Sequence, residues 1–312
     1  MAKRNGDTRT RCMGSAGRVL LNREISRKNL SFSTVASVDM CWKKFVQFAC
    51  EQGCRRLEHI SRQLVLDYGR GLAVEVEQSD MRAGYAQRLV SAVNTVVSLS
   101  RTDWDPVKPV ADCGITRRSS VRTVPPGGMD RETVLSVCCA LREAGLHRVA
   151  VGVDLAWSFG LRSEELGLLD TRRALSEATE SGRFILSAGT KGGRDRVVNV
   201  NHDWQLNALR EAAQLQEEKK SLIPSDQTWQ VFREGELYRG RAILKEHGIR
   251  SYHTLRAAFA CRRYMEITGD QAPVFVGRVL NRDKDRLARS SISIELGHGR
   301  ISVASSYVGG MK

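Results

Sequence analysis

Two short stretches near the C-terminal end gather residue types that can do chemistry. His253-Thr-Leu-Arg256 opens SYHTLRAAFACRRYMEITG, which reads as a helix. A spacing of three puts the histidine and the arginine on one helical face. Leu296-Gly-His298 lies in ISIELGHGRISVASSYVGG, which reads as a histidine at a helix start with Tyr307 nine residues further on. A structural tyrosine seldom sits so near a chain end, because termini fray. Guanidinium groups match phosphate oxygens in a planar fork, imidazoles exchange protons near neutral pH, and phenols can serve as nucleophiles. Together these types suit work on an anion.

The elements that must position them are mostly helices. Residues 1–30 are polar and basic with little periodicity, and read as a flexible basic arm. From 31 to 104 the pattern is helical. Val35, Val38, Trp42, Phe45 and Ala49 recur at three and four residues behind the candidate caps Ser33 and Thr34. Further helices are expected around 61–76 and 86–97, making a small all-helical domain. Residues 105–128, with Pro106, Pro109, Pro125 and Pro126, read as a linker. A second domain, 129–312, opens at the N-cap Asp130. It carries a helix closed by Gly160, then FILSA and RVVNV flanking Thr190-Lys191-Gly-Gly-Arg194-Asp as a hairpin. Helices are expected at 203–218 and 226–246, and the charged stretch from 268 to 293 reads as a contact to DNA or a neighbouring subunit, or as a mobile insertion. The fold class is mainly α with a small β hairpin.

Charge narrows the partner. The chain of 312 residues carries a net charge of +14, with a pI near 9.7, and arginine clusters such as RRSSVR and NRDKDRLAR supply much of it. This balance suits nucleic acid. No run of about eighteen uncharged apolar residues suggests a membrane span, and the basic N-terminus has no apolar core behind it of the kind a secretory signal needs. Eight cysteines without a CxxC pair argue against a metal site and for free thiols in a reducing cytoplasm.

With these residues in order, the chain resembles the tyrosine recombinase (phage integrase) family. FGLRSEELGLL resembles the family's first arginine box, TKGGRDRVVNV its lysine hairpin, HTLR and ELGH its histidine and second-arginine boxes, with the nucleophile position on Tyr307. The tail looks most like integrases of conjugative elements and transposons. The resemblance implies catalytic roles for Arg162, Lys191, His253, Arg256, His298 and Tyr307, with Glu165 supporting them from behind. Arg162 and Arg256 would clamp the phosphate oxygens, and Lys191 would protonate the leaving 5′-oxygen. His253 would act as a base or extra donor near the tyrosine, and His298 would hydrogen-bond a phosphate oxygen. Arg117, Arg118, Arg122 and Arg194 are candidate DNA contacts. The residue after Arg256 is Ala257, where many members carry another histidine.

The implied activity is site-specific DNA strand exchange through a covalent 3′-phosphotyrosine, serving integration or excision of a mobile element, with no metal, ATP or other cofactor. The implied partners are double-stranded DNA sites and a homo-tetramer passing through a Holliday junction, with a directionality or DNA-bending factor left open. The expected place is the bacterial cytoplasm, on the nucleoid. Alternatives with related chemistry are a resolvase of chromosome or plasmid dimers and a metal-free topoisomerase. An accessory DNA-binding protein without catalysis is the alternative from another class.

Overall fold

The structure, a computed structural model, describes Asn5, residues 7–190 and residues 192–310. The chain divides into two compact units, Met1–Ser119 and Ser120–Lys312.

The first unit is built on four helices: α1 (Met13–Ser26), α2 (Phe32–Glu51), α3 (Arg62–Glu77) and α4 (Ala83–Ser100). Trp42, Phe45, Val65, Leu89 and Val93 fill its centre. The Ser31 hydroxyl caps α2 by accepting from the Thr34 amide at 3.2 Å, slightly earlier than the expected caps Ser33 and Thr34. The expected flexible arm is corrected over Met13–Ser26. Met13, Ala16, Leu20 and Leu21 are buried, and the Trp42 indole donates to the Met13 carbonyl at 3.3 Å. The basic residues between them hid an apolar stripe, and each of its Met and Leu side chains contributes about 1.5–3 kcal/mol when buried. The expected linker is also corrected. Val107, Cys113 and Ile115 are buried in this same core, and Asn94 accepts from the Trp104 indole at 3.1 Å and the Val107 amide at 3.0 Å. Prolines erased the periodicity of that stretch without preventing its apolar side chains from packing.

The second unit begins with α5 (Arg131–Glu143), whose first turn is capped by Asp130, and α6 (His147–Phe159). It continues through α7 (Ser163–Leu168), α8 (Thr171–Ser181) and a hairpin of β1 (Arg183–Leu186) and β2 (Arg196–Asn199). The two strands are antiparallel, with Arg183 opposite Asn199. Then come α9 (Asp203–Leu215), α10 (Trp229–Glu234), α11 (Glu236–Glu246), α12 (Tyr252–Thr268), α13 (Pro273–Val276), α14 (Arg282–Glu295) and α15 (Ser305–Val308). From Val149 to Phe159 every residue of α6 is buried, so α6 is the axis around which the unit is laid. The single helix expected over 226–246 is broken at Gly235 into α10 and α11.

Among the described residues the fold is mainly α with one small two-stranded sheet. The stretch from 268 to 293 is no mobile insertion. It forms α13 and most of α14, and α14 buries Ala288, Arg289 and Ile292 in a helix pair with α12. His298 is at the other end of a helix from where the sequence suggested: it follows the C-terminal turn of α14. Among the described residues no helix is long and apolar enough to cross a membrane.

Candidate active site

The site is assembled around one buried carboxylate. Helix α6 stops at Gly160, and the chain turns so that Arg162 caps α7. The Arg162 amide donates to the Glu165 carboxylate at 2.8 Å, and its guanidinium pairs with the same group. Arg196 of β2 donates to Glu165 at 2.9 Å, and Arg256 of α12 stands 3.6 Å from it. Burial alone would raise the Glu165 carboxyl, but Arg196, the Arg162 amide, Arg256 and Arg162 outweigh it and hold it below its ordinary range.

The same three arginines reach the C-terminal end of α14. The last carbonyls of a helix have no partner within it and carry the negative end of its dipole. Arg196 donates to the Glu295 carbonyl. Arg256 and Arg162 both donate to the Leu296 carbonyl, the latter at 3.4 Å. Arg256 is wholly buried, donates also to the Gly160 carbonyl, and is pushed down to about 10, chiefly by burial. It is therefore still cationic at neutral pH.

Tyr307, on α15, brings its hydroxyl into this arrangement. The Arg256 Nε donates to the Tyr307 Oη at 3.3 Å, and His298 Nε2 lies 3.0 Å from the same oxygen. His298 Nε2 is also 3.4 Å from Arg256 Nη2. An arginine can only donate, so His298 Nε2 accepts there and Tyr307 Oη accepts from Nε. The tyrosine proton is then directed at the imidazole. Burial first, then Arg256 and Arg162, push His298 down to about 4, which keeps it neutral and able to accept. His253 stands beside the tyrosine, ring centroids 5.5 Å apart, and is lowered by burial and then by Arg256 and Arg122.

Thus Arg162, Glu165, His253, Arg256, His298 and Tyr307 share one place. Lys191 lies outside the described residues. The turn that leads to it is fixed: Gly189 has φ +70°, and a Cβ there would come 2.7 Å from the Glu164 carbonyl carbon. Only glycine lets the hairpin turn lie against the start of α7. Arg194 is exposed in the same connection, and Arg117 and Arg118 are exposed in the first unit. Arg122 is half-buried, its amide donating to the Ser305 carbonyl at 2.9 Å and its Nε to the Val124 carbonyl at 2.8 Å. Arg196 was missed in the sequence. Strand alternation was the available signal, since it places Arg196 on the inward face with Val198.

Residues 127–262 match the family described as Integrase. The solved structures with this fold include the Tn1549 transposon integrase in complex with a circular intermediate DNA, at 13% identity and a TM-score of 0.62, covering 95% of this chain and 96% of that one. A lambda integrase tetramer bound to a Holliday junction matches at 14% identity and a TM-score of 0.56, over 94% and 76%. The XerH site-specific recombinase bound to a palindromic difH substrate matches at 14% and 0.57, over 96% and 82%. No curated protein matches the sequence. Fold and family match agree on an integrase-type fold in the second unit. The family match lies wholly within the second unit.

Proposed function

We propose that the chain cleaves and rejoins DNA at specific sites through a covalent 3′-phosphotyrosine, with Ser120–Lys312 as catalytic domain and the helical first unit as a second DNA-binding domain. The observation that carries this reading is the Tyr307 hydroxyl held between His298 Nε2 and the Arg256 guanidinium, at 3.0 and 3.3 Å. Tyr307 Oη attacks the scissile phosphorus while its proton passes to His298. The phosphorane-like transition state gains charge on its non-bridging oxygens, and Arg162 and Arg256 neutralise it. The bond to the 5′-oxygen breaks, and that oxygen takes a proton from Lys191, an assignment that rests on the sequence. His298 is thereby moved from the phosphate-binding role the sequence suggested to that of base, and His253 supports the tyrosine ring.

The phosphotyrosine keeps the energy of the broken bond, so a free 5′-hydroxyl of another strand reverses the step without ATP. Integration or excision of a mobile element is the task the transposon-integrase likeness favours, on DNA-bound tetramers like that of lambda integrase. Arg117, Arg118 and Arg194, being exposed, are the proposed phosphate contacts, which makes binding fall steeply with salt.

The test uses nicked duplexes tiled across the DNA flanking the gene, so that the cleaved fragment diffuses away and religation fails. Wild type yields a protein–DNA adduct that survives denaturation, and Tyr307→Phe yields none. Tight binding without adduct in the wild type would overturn the reading in favour of an accessory factor. An adduct persisting in the variant would mean another residue attacks.

A further inference from the structure

Arg289, on the stretch of α14 that the sequence suggested was an insertion, is among the most deeply buried charges in the molecule. Its Nε donates to both oxygens of Asp285 at 2.8 Å. The other face of the guanidinium is turned toward the residues around Tyr307. Nη1 donates to the Ser305 hydroxyl at 3.1 Å and to the Gly309 carbonyl at 3.0 Å, and Nη2 to the Gly310 carbonyl at 2.8 Å. Asp285 is itself fixed by the Tyr264 hydroxyl of α12 at 2.9 Å. Both sides of the nucleophile's single helical turn are therefore tied to one buried cation.

Three further contacts close the fastening. The Arg122 amide donates to the Ser305 carbonyl, and the Cys261 thiol donates to the Tyr307 carbonyl at 3.5 Å. Gly309 has φ +97°, and a Cβ there would come 2.6 Å from the Val274 amide nitrogen. The backbone after Tyr307 is thus threaded against α13 at a point where no side chain fits. A four-residue helix has almost no stability of its own, so what holds Tyr307 Oη within 3.0 Å of His298 must come from outside α15.

We propose that Arg289 is a positioning residue for strand cleavage: it latches the segment Ser305–Gly310 onto its own protomer, so that each protomer presents its own Tyr307 to its own His298 and Arg256. This rests on Tyr307 being the nucleophile. Arg289 touches neither the tyrosine side chain nor the place of the phosphate. It acts through the backbone that carries the tyrosine.

The experiment compares full-length wild type with Arg289→Gln, Arg289→Lys and Gly309→Ala, the last leaving the buried Arg289–Asp285 pair untouched. Hydrogen exchange of the free protein is read first, because it does not depend on activity. Amides of 305–310 are protected in the wild type and lose that protection in Arg289→Gln and Gly309→Ala, while α12 keeps its own. Adduct formation on the nicked duplex is then measured at saturating protein. Its rate falls tenfold or more in both variants, DNA affinity stays within about twofold, and Arg289→Lys recovers part of the rate. Equal protection and equal rates in Gly309→Ala and wild type would overturn the latch. So would a loss of protection spread evenly over α12 and α14 with no rescue by lysine, since that is plain unfolding. A wild type with protected tail amides but no adduct would instead sink the reading of Tyr307. Mixing Tyr307→Phe with Arg256→Ala on one duplex decides the last clause: an adduct from the mixture would mean that the tyrosine is donated between protomers.

Discussion

Arg256 and Arg289 are both wholly buried, and both are held by helix α14, yet they sit in opposite electrostatic company. Around Arg256 three guanidiniums share the single carboxylate of Glu165. Around Arg289 one guanidinium meets one carboxylate, Asp285, with neutral carbonyls and a hydroxyl completing its bonds. The first centre keeps two positive charges in excess, and the second is neutral. A buried excess of charge costs stability unless an anion arrives to match it. That cost explains why the site leans on the carbonyl dipoles at the end of α14, and it suits the Arg256 centre to the phosphate proposed for it. The Arg289 centre needs no ligand, and it suits a latch.

Removing a positive or the negative charge from the Arg256 centre should therefore have unlike consequences. Arg256→Ala removes the donors proposed to meet the transition state and should lower the rate of adduct formation on the order of 10²–10³-fold. The duplex should still bind, because most of the positive surface is elsewhere. A single-turnover assay beside a binding titration separates the two, and equal losses in both would place Arg256 in binding alone. Glu165→Gln should act mainly on stability. It strands three guanidiniums around a neutral amide and should cost on the order of 3–5 kcal/mol in chemical denaturation. Inorganic phosphate should recover part of that loss in the variant. A variant as stable as the wild type, indifferent to phosphate, would mean the carboxylate does not hold the arginines together.

The sequence made one of these centres readable and left the other hidden, for physical reasons. His253 and Arg256 stand three apart, which puts them on one helical face, and Arg162, Glu165 and His298 lie in the short boxes that carry the family resemblance. Their chemistry is visible without knowing what lies opposite. Arg289 looked like one more residue in a charged run, RDKDRLARSSIS. Only the packing of α14 on α12 turns that face inward, and an i,i+4 pair such as Asp285–Arg289 is written identically whether it ends up solvated or buried. The same blindness affected α1, where arginines between apolar residues suggested a loose arm. It also affected Arg196, masked by the exposed Arg194 two residues before it. The helical class and the hairpin were legible because helix caps, αL glycines and strand alternation act locally. The hydrogen bond between His298 and Tyr307 was not, since a turn and a short helix lie between them and the resemblance placed His298 on a phosphate oxygen.

The smallest effect expected is in acid, and it belongs to the Arg256 centre. His298 is pushed down to about 4 in the folded chain, against about 6.5 for an unstructured histidine. Between those values the unfolded state binds more protons than the folded one, so stability should fall as pH drops from about 6.5 toward 4 and change no further on that account below it. His253 is lowered as well and adds in the same direction. Glu165, also lowered, adds a loss that begins as pH falls into the ordinary carboxylate range and continues below it. Urea titrations of wild type and His298→Asn at intervals from pH 7.5 to 4 would isolate the histidine. The variant should lose part of the slope above pH 4.5 and retain the steeper fall beneath it. An unchanged slope would mean that His298 takes up its proton as readily folded as unfolded. Its Nε2 would then be charged in mild acid and unable to accept from Tyr307, and the base in the cleavage step would have to be sought at His253.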